Sequence, residues 1–434
     1  MATPASLATP ALTLTRPTSS SSKRSRSTDS QRSTSATPVP EKPGEAQDMA
    51  IDQSLPAFLR QSDGQIHSKF EELFFQQQLR LLEGRQQNDP ASKWAQEQTR
   101  EVKNRNRYAD ISAWANSRIR LKVVEGACDY INASPISLHC SKTGKERKYI
   151  AAQGPKQTGI NEFWQMVWHE TKEVAVIVML TQLAEGLREK CCQYYPETLE
   201  DGSLQLTLTR DTGEECLGQI KLDEVTIDDA TKSTVRKLTL TCGEDSKIVW
   251  HFLFLGWPDY GVPENEDCEA LLNLVRLSNN KNHTPENPRI VHCSAGVGRS
   301  GTFIALEHLL EELEVGSVAE VGDPEDMIFE TVNRLREQRM TMVQSLEQFQ
   351  FLYQLLRDHY RKKQKEQETT PASSADTTAS EKSSLADNSE PSRKVMRLSR
   401  GIKAVFLRTT SRSRSRNKRA VEENKAEEGK APES

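Results

Sequence analysis

The sequence predicts a single mixed α/β domain of roughly 300 residues between two polar tails. Three observations predict it. Val174 to Leu180 is a continuous, β-branched run, the pattern of a strand buried on both faces. Leu204 to Leu208 and Val235 to Leu240 alternate apolar and polar residues, as half-buried antiparallel strands do. Helical spacing then dominates the last third of the domain, and composition changes sharply at both of its ends. Only 35% of the 434 residues are hydrophobic, and mean hydropathy is −0.68. That is too thin for a chain packed from end to end, so a good core must be diluted by tails.

The elements follow in order. Residues 1–52 are Ser, Thr, Pro and basic residues with almost no large apolar side chains, and a stretch of that kind cannot offset its ordering entropy. It is expected to be a disordered tail. Phe70, Leu73, Phe74, Leu79 and Leu82 fall close to helical spacing. Ile248–Leu255 and the short run Arg289–His292 read as further strands, and Cys268–Leu277, Gly301–Leu313, Met327–Arg336 and Leu346–Tyr360 read as helices. The domain is expected to span 53–363. Residues 364–434 form a second polar tail, and between Arg393 and Arg419 every charged residue is basic. Within that segment Val395, Leu398, Ile402 and Val405 recur at helical intervals, which suits an anionic membrane surface or a partner groove. Its Arg-Ser run would equally serve an import receptor, and a plain solvated tail is the simplest alternative.

Charge and cysteine usage narrow the class. A formal charge of −4, from 58 basic and 62 acidic residues, gives bulk electrostatics no reason to expect nucleic acid as a partner. The longest apolar run is Val174–Leu180, far short of the roughly 20 residues that span a bilayer, and no secretory signal is expected at the start. Eight scattered cysteines do not read as a disulfide framework and suggest a reducing compartment.

The segment that carries chemistry is Ile290-Val-His-Cys-Ser-Ala-Gly-Val-Gly-Arg-Ser-Gly-Thr-Phe303. A short strand leads into Cys293, and small residues occupy Ser294, Ala295, Gly296, Val297 and Gly298. Arg299 then stands where a helix opens. Small residues let consecutive backbone N–H groups turn inward around an anion, and the helix presents its positive end to the same point. Both effects favour a thiolate at Cys293 over a thiol. Arg299 adds a planar fork able to grip two phosphate oxygens. Nucleophile and phosphate cradle thus come from one loop, the chemistry of phosphoryl transfer through a cysteine.

Val291 to Thr302 resembles the active-site loop of the classical, phosphotyrosine-specific protein tyrosine phosphatases of the non-receptor type. The resemblance continues in order along the chain. Asn106-Arg-Tyr-Ala-Asp110 is similar to that family's phosphotyrosine-recognition loop, and Asp129–Ser134 and Tyr149–Pro155 to its structural motifs. Trp257-Pro-Asp259 is similar to its acid loop and Gln344-Ser-Leu-Glu-Gln348 to its water-positioning loop. It implies a highly twisted mixed β-sheet flanked by helices.

The resemblance also implies roles. Asp259 would protonate the leaving phenolate and then activate water, since a phenolate leaves poorly without a proton. Trp257 and Gly261 would be hinges of its loop. Tyr108 would pack on the substrate ring and Asp110 would hold the substrate backbone. Gln344 would orient the hydrolytic water with help from Gln348, and Ser300 would hydrogen-bond the departing thiolate. His292 would orient the loop, Glu185 would pair with Arg299, and Lys190 belongs to the same charged segment; an exposed helix-face pair is the alternative for Glu185 and Lys190. Thr341 stands where some members have Gly. No metal-ligand spacing is present, and the chemistry calls for no metal or other cofactor. The expected protein is a cytoplasmic or nuclear phosphatase, monomeric, acting on phosphotyrosine-containing proteins. A catalytically silent phosphotyrosine-binding module and a broader phosphatase are the rivals.

Overall fold

The computed structural model describes residues 52–86, 89–258 and 261–369. Among these residues ten strands and seven α-helices follow one another. The strands are β1 (Ala133–His139), β2 (Glu146–Ala152), β3 (Val174–Met179), β4 (Ala184–Glu185), β5 (Arg188–Glu189), β6 (Ser203–Thr209), β7 (Glu215–Asp228), β8 (Ser233–Cys242), β9 (Asp245–Phe254) and β10 (Arg289–His292). The helices are α1 (Asp63–Gln86), α2 (Arg100–Arg105), α3 (Ile160–Glu170), α4 (Glu266–Lys281), α5 (Gly298–Glu314), α6 (Met327–Gln338) and α7 (Leu346–Thr369). Eight strands form one mixed sheet in the order β1-β2-β10-β3-β9-β8-β7-β6, and β4 and β5 form a separate small hairpin.

The parallel strands sit at the middle of the sheet, where β10 runs parallel to both β2 and β3, and β3 runs parallel to β9. Every residue of β3 is buried, as a strand covered on both faces requires. Alternate residues of the same strands feed two cores. Val176, Val178, Ala151 and Val291 join α4, α5, α6 and α7 on one face. Ala175, Ile177, Met179 and Ile290 join Phe163, Trp164 and Val167 of α3 on the other. The β-branched β10 therefore ends in the interior of the molecule, and the residue after it is Cys293. Arg289 at its start pairs with Glu307 of α5 and donates to the Ser278 hydroxyl at 2.9 Å, tying strand to helix below the loop.

The structure departs from the sequence reading at three points. Helix α1 forms, but Phe74, Leu79 and Leu82 point to solvent while Gln77 and Arg80 are buried. The reason is the neighbour. Arg80 donates to Asn333 of α6 at 2.6 Å and lies over the Trp94 ring, and Gln77 accepts from the Thr341 N–H at 3.1 Å. The cysteines meet one exception as well: Cys216 and Cys242, 26 residues apart, form a disulfide, because the antiparallel β7–β8 pair brings their Cα atoms to 6.0 Å. Helix α7 also runs on to Thr369, beyond the expected helix Leu346–Tyr360. The segment 393–419 lies outside the described residues. No helix among the described residues is long and apolar enough to cross a membrane.

Candidate active site

Cys293 is buried at the end of β10, and its Sγ accepts the Gly296 N–H at 3.3 Å. The loop reaches this shape because Gly296 takes φ +72°, and a Cβ there would meet the Ala152 carbonyl oxygen at 2.1 Å. Only glycine fits. Val297 closes the loop as the N-cap of α5, its carbonyl accepting from Gly301 at 3.0 Å and from Val343 at 3.1 Å. Gly298 opens the helix beneath Gln344 and Gln348, and a Cβ on it would lie 3.0 to 3.3 Å from their side-chain amides. Seventeen residues of α5 thus present their N-terminal dipole beside the Cys293 sulfur.

Arg299 and Glu185 meet as the resemblance implies. Both guanidinium nitrogens reach the carboxylate, Nη2 at 3.2 Å, while Nη1 also donates to the Leu180 carbonyl at 3.0 Å and Nη2 to the Pro258 carbonyl at 3.0 Å. Lys190 lies 3.4 Å from the same carboxylate and the Thr181 hydroxyl donates to it at 3.0 Å. Burial alone would raise Glu185, but Arg299, Thr181 and Lys190 hold it below the usual carboxylate range. The exposed helix-face alternative fails, since Glu185 is a buried residue of β4.

On another side, the Tyr108 hydroxyl and the Ser294 hydroxyl are 2.8 Å apart, and Ser294 donates to the Lys190 carbonyl at 2.9 Å. Tyr108 is half-buried and Asp110 is exposed. Gln348 accepts the Gln344 N–H at 2.9 Å, and Gln344 is exposed over the loop's helical end. Ser300 is fully buried, and its hydroxyl has no partner among the described residues. The Trp257 indole donates to the Gly261 carbonyl at 3.3 Å, closing the base of the acid loop, and Arg299 lies 5.9 Å over its ring. Asp259 lies outside the described residues.

His292 is fully buried. Its Nδ1 faces the Cys293 carbonyl at 3.2 Å and its Nε2 faces the Tyr194 hydroxyl at 2.6 Å. A carbonyl only accepts, so Nδ1 carries the hydrogen and Tyr194 donates to Nε2. Tyr194 has no second hydrogen, so His251 donates from Nε2 to its oxygen at 2.9 Å. Burial pushes His292 down to about 4, with the Cys293 carbonyl opposing and Arg107 assisting, and pushes His251 well below its ordinary value. A neutral, oriented imidazole pair therefore underlies Cys293.

Several residues that support the site were missed in the sequence. Arg339 is fully buried under the loop, where it donates to the Gly296 carbonyl at 2.8 Å, the Ala295 carbonyl at 3.1 Å, Asn132 at 2.8 Å and Ser134 at 3.2 Å. Arg107 donates to the Gly154 and Pro155 carbonyls at 3.1 and 2.7 Å. Asn132, Ser134 and Gly154 sit in segments singled out as structural, but nothing in the sequence connects them to these arginines. Thr341 and Val343 adopt φ +56°, a region where β-branched residues are strained.

The protein-tyrosine phosphatase family model matches residues 102–358. The chain belongs to that family. Among protein-tyrosine phosphatases it is similar to tyrosine-protein phosphatase 1 of Saccharomyces cerevisiae, 35% identical over 325 residues that cover 69% of this chain and 96% of that protein. It is 36% identical over 280 residues to tyrosine-protein phosphatase 2 of Schizosaccharomyces pombe, covering 62% of this chain but only 36% of that protein. The chain thus spans about a third of that longer relative. The fold resembles the crystal structure of the catalytic domain of human protein tyrosine phosphatase non-receptor type 18, with TM-score 0.54 and 25% identity over 68% of this chain and 96% of that one.

Proposed function

We propose that this protein-tyrosine phosphatase hydrolyses phosphotyrosine in proteins through a phosphocysteine intermediate. The observation that carries the reading is the Gly296 N–H directed at the Cys293 sulfur from a loop that opens α5. An amide cradle of this kind stabilises both a thiolate and a phosphoryl dianion.

In the first step the Cys293 thiolate attacks phosphorus in line and the bond from phosphorus to the tyrosine oxygen breaks. Asp259 gives its proton to the departing phenolate. Amides of Ser294 to Gly298 and the Arg299 fork carry the equatorial charge. In the second step Gln344, with Gln348, orients a water that loses a proton to Asp259 and attacks phosphorus. The sulfur–phosphorus bond breaks, inorganic phosphate leaves and Ser300 donates to the returning thiolate. Tyr108 deepens the pocket until only the long phosphotyrosyl side chain reaches Cys293, and Asp110 holds the peptide backbone.

The catalytic domain in this reading is 53–363, acting on phosphotyrosine-containing proteins in cytoplasm or nucleus. Residues 393–419 supply import or membrane contact; removing 393–434 from a tagged chain and imaging cells tests that part. The main test is phosphate release from a phosphotyrosyl and a phosphoseryl peptide without added metal, with Cys293→Ser beside wild type. Release from phosphotyrosine alone, lost in the variant, is expected. Tight binding with no release by wild type would make the pocket a recognition module instead.

A further inference from the structure

The β4–β5 hairpin is tied to the pocket at three points near its base. Glu185 holds Arg299, Glu189 pairs with Arg107 at 3.2 Å, and the Lys190 carbonyl accepts from Ser294 at 2.9 Å. Arg107 directly precedes Tyr108, so the hairpin is fastened to the nucleophile loop and to the aromatic wall together. Its tip is not covered. Gly186 takes φ +60° and makes the turn, and Leu187 beside it has a relative exposure of 106%, the highest of the large apolar side chains among the described residues. The turn is satisfied by glycine, and Leu187 buries nothing within the fold.

We propose that Leu187 is a specificity residue that reads the substrate chain beside the phosphotyrosine and favours a large apolar side chain there. The proposal rests on the phosphatase reading above. Leu187 is two residues from Glu185 and two from Glu189, about 7 Å of chain from either anchor. An extended peptide advances about 3.3 Å per residue. The tip therefore lies no more than about two peptide residues from its anchors on the pocket wall, and the proposal assigns it the second or third residue away from the one in the pocket. Apolar area covered on both partners supplies the preference, and the anchored base means that little of the hairpin has to be ordered on binding.

The test compares kcat/KM on two phosphotyrosyl peptides that differ only in having Leu or Ser at the second and third positions on each side. Wild type is expected to favour the Leu peptide about threefold to tenfold. Leu187→Ser should bring the ratio close to one, and Leu187→Met should keep it. A wild-type ratio near one overturns the proposal, as does a ratio that survives Leu187→Ser. An equal fall on both peptides also overturns it, since the residue would then act by holding Glu185 on Arg299. Wild-type turnover of p-nitrophenyl phosphate, which has no flanking residues, separates the two readings: its absence sinks the phosphatase reading itself.

Discussion

Arg339 and Arg299 flank the same loop, and they are held by opposite chemistry. Arg339, beneath it, is fully buried and bonded only to neutral acceptors: two loop carbonyls, an amide and a hydroxyl. Arg299, beside it, keeps 13% of its side chain exposed and is bonded to a carboxylate and two carbonyls. A guanidinium fully buried among fixed neutral dipoles is a strut. One oriented by a single carboxylate and still partly exposed can meet an incoming dianion by exchanging a carbonyl partner for it. The loop needs both, because an anion cradle must be rigid before the anion arrives.

The comparison can be broken by substitution, taking the largest expected effect first. Arg299→Lys keeps the charge and removes the fork, so kcat/KM on a phosphotyrosyl peptide should fall about a thousandfold, roughly 4 kcal/mol, with little change in Tm. Arg339→Leu should do the reverse. It strands the four acceptors in the interior and should cost about 3 kcal/mol of stability by urea titration. A small loss there, or a large one in Arg299→Lys, would remove the distinction.

Acid probes the floor of the loop. His292 is neutral in the fold with its pKa pushed down to about 4, against about 6.5 when unfolded. The unfolded chain takes up a proton that the folded chain refuses, so stability should fall as pH drops from about 6.5 to about 4, by about 3 kcal/mol, and the effect should level off below. Urea midpoints across that range should flatten in His292→Asn; an unchanged slope would mean that another group carries it. The smallest effect sharpens the outer side. Glu185→Gln keeps the hydrogen-bond geometry without the charge and should lower kcat/KM about tenfold, chiefly through misplacement of Arg299.

How much could be read in the chain follows the same division. Cys293 to Ser300 is contiguous, so its chemistry is local, and β3 and β8 follow their apolar patterns. The Glu185–Arg299 pair joins residues 114 apart in sequence and was accessible only through the resemblance. Arg339, Tyr194 and His251 left no periodic signal. Strand β7 escaped because its second half is mostly exposed, whereas α3 was overlooked although Ile160, Phe163, Trp164 and Val167 fall at helical spacing. Helix α1 is the instructive case: its spacing predicted a helix, and the face that became buried carries Gln77 and Arg80.

By itself the sequence determined the strand, small-residue loop and helix around Cys293, and which side chains that loop offers for the proposed chemistry. These depend on backbone sterics and on residues a few positions apart. Tertiary structure alone decided which arginine is a strut and which faces the pocket, which tautomer His292 adopts, which two cysteines join and which face of α1 is covered. Each of those turns on a partner distant in sequence, and burial and hydrogen bonding act on whatever the fold brings within a few ångströms.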